Sequence, residues 1–172
     1  MLFLVKMKRI IITAFFTILF STFAIGQTAN QISDAQKKGF IEILKTLPFK
    51  GEFYTDEAID KSQSYMPVLF ALTEKDIKNY DIYPFLALSR GLCDLKAPRD
   101  YAVRHFSEIR HLTLKLFWAA MLFDAKATSS EVVQFLKNAL KSKEQSKTLA
   151  EMIGPDYKDF QRRVKTYKDK KK

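Results

Sequence analysis

Between His111 and Asp124 the chain reads Leu112, Leu114, Leu116, Phe117, Trp118, Ala119, Ala120, Met121, Leu122 and Phe123, with Lys115 as the only charge. A helix that is apolar on every side has no face to give to water, so other helices must surround it. The run falls well short of the roughly 20 residues that span a bilayer, which makes it a central core helix. Five Gly and five Pro in 172 residues leave little material for a turn-rich β architecture. Abundant Leu, Phe, Ala and Lys favour helices. The sequence therefore predicts an all-α protein, a compact bundle of paired antiparallel helices.

Local signals place the other helices. Ser33-Asp34-Ala35-Gln36 has the form of a capping box, and Phe40, Ile43, Leu44 and Leu47 follow at helical spacing before Pro48. Tyr54 and Ile59 flank Thr55 as a hydrophobic staple around an N-cap. The second helix runs from there through Ala58, Ser62 and Met66, and Pro67 kinks or ends it. Thr73 with Asp76 opens a short helical turn. Gly154-Pro155 marks a helix stop followed by a helix start, and the last helix carries Tyr157, Phe160, Val164 and Tyr167.

Leu86–Phe106 aligned with Leu116–Leu136, a spacing of 30, gives six identities in 21 positions. Chance alone would give about one or two. The shared Asp-x-Lys-Ala, at 94–97 and 124–127, reads as the turn between two helices. In the second copy Val132, Val133, Phe135, Leu136, Ala139 and Leu140 form one wide apolar face, capped by Ser129 or Ser130. Leu92-Cys93-Asp94 with Val103-Arg104, and Glu131-Val132-Val133 with Ala139-Leu140, resemble the short class of HEAT-like helical repeats over residues 83–141. Val133-Gln134 stands where that class has Val-Arg. The resemblance implies stacked helical pairs, with flanking helices as caps.

Lys6, Lys8 and Arg9 precede an uncharged stretch from Ile10 to Ile25, and Ala24-Ile25-Gly26 supplies the small residues a signal peptidase reads. We read 1–26 as a signal peptide, with Met7 as an alternative start. Cleavage before Gln27 delivers a secreted or periplasmic protein. The competing reading is an uncleaved N-terminal membrane anchor.

A formal charge of +10 suggests a nucleic-acid binder until it is partitioned. Residues 27–157, read as one helical domain, hold 18 Lys or Arg against 17 Asp or Glu, whereas residues 158–172 hold eight against two. Nucleic acid is therefore not an expected partner, because phosphate neutralisation needs basic residues spread over a folded face. The basic end (Arg162, Arg163, Lys165, Lys168, Lys170, Lys171 and Lys172) reads as a solvated helix end, with weak contact to an anionic membrane as the alternative.

Cys93 is the only cysteine, so no intramolecular disulfide forms, and its apolar surroundings predict a buried thiol. His105 and His111 lie six apart on different faces, not at the i, i+4 spacing of a zinc pair. The sequence contains no nucleophile elbow, metalloprotease motif or phosphate loop, and no cofactor is implied. Aromatic residues exceed what the core requires, and Tyr83, Tyr101 and Trp118 are the candidate interaction face. The leading functional expectation is an exported, non-enzymatic interaction or scaffold domain whose partner is another protein. The alternatives are a carrier of a small apolar ligand or lipid, held near Phe117 and Trp118, and a hydrolase whose site the motifs do not reveal. N-terminal sequencing of the exported protein is expected to begin at Gln27; an intact Met1 or Met7 terminus would show an uncleaved anchor.

Overall fold

The computed structural model describes residues 31–50 and 53–168. The leader, the alternative start and Lys170, Lys171 and Lys172 lie outside the described residues. The protein is mostly helical. Its helices are α1 (Asp34–Thr46), α2 (Asp56–Ser62), α3 (Met66–Ala71), α4 (Glu74–Ile77), α5 (Tyr83–Asp94), α6 (Lys96–Arg104), α7 (Leu112–Asp124), α8 (Ser130–Ala139), α9 (Lys143–Ile153) and α10 (Tyr157–Thr166). Two short strands, β1 (Phe49–Lys50) and β2 (Phe53–Tyr54), pair antiparallel, with Phe49 opposite Tyr54 and Lys50 opposite Phe53.

The apolar run becomes α7, and α5, α6, α8 and α9 pack against it. Leu114, Trp118, Ala119 and Leu122 are fully buried, and the Trp118 ring meets Phe70 of α3 edge-on at 5.6 Å. Edge-to-face pairs of this kind add about 0.5–1.5 kcal/mol to the area they bury. Glu74 of α4 accepts a hydrogen bond from the Leu112 backbone N–H at 2.8 Å, so a carboxylate sits where the α7 N-terminus needs an acceptor.

The caps form where the sequence places them. Ser33 and Gln36 close a reciprocal capping box on α1, with the Ser33 N–H donating to Gln36 Oε1 at 2.8 Å. Asp76 accepts from both the backbone N–H and the hydroxyl of Thr73 at 2.9 Å. The same carboxylate takes Lys37 of α1 at 3.0 Å, an ion pair in which the lysine is 7% exposed and which ties α1 to α4. The buried face of α1 accordingly runs through Lys37, Phe40, Ile41 and Leu44, while Ile43 and Leu47 are half-buried. Ser129 caps α8 and accepts from the Val132 N–H at 3.3 Å.

Three features depart from the sequence reading. Pro67 opens α3 and does not end the preceding helix: a 3-10 turn at Gln63–Tyr65 intervenes, and the missing N–H costs nothing in a first helical turn. The shared Asp-x-Lys-Ala adopts two different backbones. Leu95 alone separates α5 from α6, whereas residues 125–129 separate α7 from α8, with Lys126 at φ 56. Finally, the basic end is not structurally separate, because Phe160 and Val164 of α10 are fully buried in the common core and α10 packs on α8.

Helices α2 and α5 cross closely at Gly91. A methyl placed there would lie 2.8 Å from Ile59 Cγ1 and nearer still to Cδ1. Glycine inside a helix sacrifices up to about 1 kcal/mol of propensity, but overpacking a core typically costs about 1–3 kcal/mol. We therefore expect Gly91→Ala to lower stability in urea by about 1 kcal/mol, and Ile59→Val, which removes Cδ1, to reduce that penalty. An unchanged midpoint would mean that α2 does not rest on α5 at this distance.

Candidate functional site

Helix α5 begins where Asp81 accepts a hydrogen bond from the Tyr83 N–H at 3.0 Å, with Pro84 in its first turn. Phe85, Leu88, Ser89, Leu92 and Cys93 are buried. A second face carries Tyr83, Leu86, Ala87, Arg90 and Asp94, and β2 and α2 lie along it. Alternation in β2 buries Tyr54, whose hydroxyl donates to the Leu44 carbonyl at 3.4 Å, and turns Phe53 outward to 50% exposure. Gly91 lets α2 approach, which brings Asp56 and Asp60, one turn apart, beside Asp94.

The result is a groove in two compartments that share Phe53, Ala87 and Arg90. The Arg90 guanidinium lies 5.7 Å from the Phe53 ring centre and forms the divide. The first compartment, about 500 Å³, is apolar: Ile82, Tyr83, Leu86, Phe117 and Met152 line it, with Thr113, Thr148 and Glu151 among its polar walls. The second, about 510 Å³, is bordered by Asp56, Asp60 and Asp94. Among the described residues no group of three or more His, Cys, Asp or Glu is arranged to hold a metal ion, so these carboxylates do not converge on one point.

Of the three aromatics read as an interaction face, only Tyr83 lies on the groove, at 46% exposure. Trp118 is a correction: it is 0% exposed, because its side of α7 is covered by the surrounding helices and by Phe70. Tyr101 is corrected as well. It is half-buried, its ring stacks on His105 at 4.2 Å and tilts against Phe70 at 5.7 Å, and its hydroxyl is sealed in without a hydrogen-bond partner. That burial pushes the hydroxyl pKa up to about 12, with Glu108 adding in the same direction. Phe53, the most exposed large apolar residue of the groove, was missed. Phe53 stands two residues after Gly51 and directly before Tyr54, a stretch too short to carry a periodic signal, although an aromatic close to a turn is a cue that could have found it.

The basic residues are not one set. Arg163 donates to Asp124 of α7 at 2.7 Å and to Asp159 at 2.9 Å, and lies over the rings of Phe123 and Phe160 at 5.5 and 5.8 Å. It clamps α10 to α7 and is corrected from a surface contact to a structural one. Arg162 pairs with Asp159. Lys165 and Lys168 are exposed.

His105 Nδ1 lies 2.8 Å from Glu108 Oε1, an acid–histidine pair beside a 3-10 turn at Phe106–Glu108, and neither residue borders the groove. Cys93 is 1% exposed, and burial raises its thiol pKa to about 11, which removes its reactivity at neutral pH. No described helix is long and apolar enough to cross a membrane.

His111 is 8% exposed and its Nδ1 has no hydrogen-bond partner. Burial lowers its pKa below the ordinary imidazole value, and the nearby Glu74 carboxylate opposes this only in part. The unfolded chain then binds a proton more readily than the folded one. This contribution to stability is present above the unfolded pKa, about 6.5, and is lost as pH falls through the lower folded value. Urea midpoints measured from pH 7 to pH 5 are expected to fall, and His111→Gln to flatten that slope; an equal slope in the variant would remove His111 as its source.

Compared with known proteins, the chain matches no family model, no curated protein and no solved structure.

Proposed function

We propose that this is an exported, non-enzymatic interaction domain that receives a segment of another protein in the groove along α5. The observation that carries the reading is the gathering of half-exposed aromatics, Phe53 and Tyr83, at one apolar cleft, while the other large rings among the described residues are mostly packed inside. Aromatic side chains left at a surface cleft are characteristic of interface anchors, since they lose little conformational freedom on binding. The helical pairs α5–α6 and α7–α8 serve as two HEAT-like units whose shared Leu92 and Leu122 are fully buried, with α1–α4 and α9–α10 as caps. Export through the N-terminal leader places the domain in a secreted or periplasmic setting, and the exposed Lys165 and Lys168 form part of a solvated helix end. Catalysis is not assigned to the His105–Glu108 pair: it borders neither compartment, and a catalytic base needs a cleft that brings substrate within hydrogen-bond reach.

A second reading, a carrier of a small apolar molecule, draws on the first compartment, whose volume of about 500 Å³ lies within the ligand-pocket range and which includes Phe117. The carrier reading is weakened by the openness implied by two half-exposed aromatics, because apolar cargo is held by burying most of its surface. A photoreactive benzoylphenylalanine in place of Tyr83 separates the two. We expect a discrete protein adduct from the exported fraction, absent when the same group replaces Lys141 elsewhere on the surface. A mass increase of a few hundred daltons in native mass spectrometry, with no protein adduct, would establish the carrier and end the interaction reading.

A further inference from the structure

The two compartments differ in charge, and the difference identifies the chemistry of the partner. Asp56, Asp60 and Asp94 are all exposed at the second compartment. Asp60 accepts a hydrogen bond from Gln63 at 3.2 Å, and none of the three takes part in an ion pair among the described residues. Elsewhere Glu42, Glu57, Asp76, Asp100, Asp124 and Asp159 each have a Lys or Arg within ion-pair distance. Arg90, the cation among the residues lining this compartment, is turned over the Phe53 ring at the divide. On a body of nearly balanced charge this gathers three carboxylates without ion pairs at one compartment, and that compartment borders the apolar cleft. Such a patch repels phosphate and anionic lipid and attracts cationic groups. The carboxylates are too dispersed to chelate a metal ion and instead suit a long, flexible side-chain cation.

We propose that the groove takes a peptide segment that seats an aromatic or large aliphatic residue in the first compartment and a Lys or Arg in the second. The inference rests on the interaction reading above and specifies its partner. The α5 residues of the two compartments, Tyr83, Leu86, Ala87 and Arg90 against Ala87, Arg90, Gly91 and Asp94, are offset by about one turn, ~6 Å. That distance corresponds to about two residues of an extended peptide or about four of a helical one. The apolar anchor lies toward the N-terminus of α5 and the cation toward its C-terminus. Met152 in the first compartment tolerates different anchor shapes, so charge and spacing set the specificity there more than anchor identity does.

The test is selection of random dodecapeptides on the purified exported chain, followed by fluorescence anisotropy with the strongest binder. Selected sequences are expected to place Lys or Arg two to four residues from an aromatic, Leu or Met. Changing that Lys or Arg to Gln in the peptide, or Asp60→Asn with Asp94→Asn in the protein, is expected to weaken binding about threefold to tenfold and to flatten its salt dependence. Tyr83→Ser is expected to weaken binding independently. If binding is lost with Tyr83→Ser yet is unmoved by the peptide and Asp changes, the basic partner is overturned and the interaction face stands. If no selected peptide responds to Tyr83→Ser, both readings fall. Sedimentation showing concentration-dependent pairing of this chain, abolished by the same substitutions, would overturn the peptide partner in favour of a second copy.

Discussion

Everything in this molecule is arranged around the need to cover α7. A thirteen-residue helix whose only charges are Lys115 and the terminal Asp124 must be enclosed over most of its surface, and the enclosure is supplied by four other helices, two that precede it in the chain and two that follow. Trp118 sits at the centre with no exposed surface and an edge-on contact to Phe70. With no disulfide to draw on and no metal-ligating cluster among the described residues, this apolar contact surface is the main source of cohesion. The polar contacts at its margins fix geometry: Glu74 at the α7 N-terminus, Arg163 reaching back to Asp124, and the buried Lys37–Asp76 pair.

Buried charge is used in a restricted way. Asp76 illustrates the balance: burial works to raise its pKa, but the Thr73 backbone N–H, Lys37 and the Thr73 hydroxyl outweigh it and hold the carboxyl below its ordinary range. Lys115 shows the opposite outcome. Its amine lies 5.1 and 5.6 Å from the Phe106 and Phe135 rings, and burial lowers its pKa with only partial opposition from Glu131. Both residues serve the joints between helices, and the perturbation of these two groups has its cause in packing.

The groove is a consequence of the same packing. Once the Phe85, Leu88 and Leu92 face of α5 is buried in the core, its remaining face is left to the short β1–β2 hairpin and to α2, neither large enough to cover it. Gly91 decides how near α2 can come, and so whether Asp56 and Asp60 share a compartment with Asp94. A feature built by one missing side chain, one outward-facing strand residue and one helix register cannot be assigned to any single element.

By itself the sequence determined the all-α class, the central position of α7, the caps at Ser33, Thr55 and Thr73, a cap at Ser129 or Ser130 of which the structure uses Ser129, and the burial of Cys93. These follow from local physics: helical periodicity, orphan N–H groups that need an acceptor within three residues, and a run with no polar face. The same lack of a polar face hid the site. From Leu116 to Phe123 every position looks equally apolar, so nothing in the chain distinguishes Trp118, enclosed on all sides, from Phe117, which reaches the groove. Tyr83 and Tyr101 looked equivalent for a similar reason, until stacking on His105 and contact with Phe70 drew one of them inward. Only the tertiary structure decided which aromatics remain outside, that Phe53 and Arg90 divide the groove, and that Arg163 is a clamp. Each depends on which neighbour arrives from far along the chain, and that information is held by the packing of whole helices and not by any local run of residues.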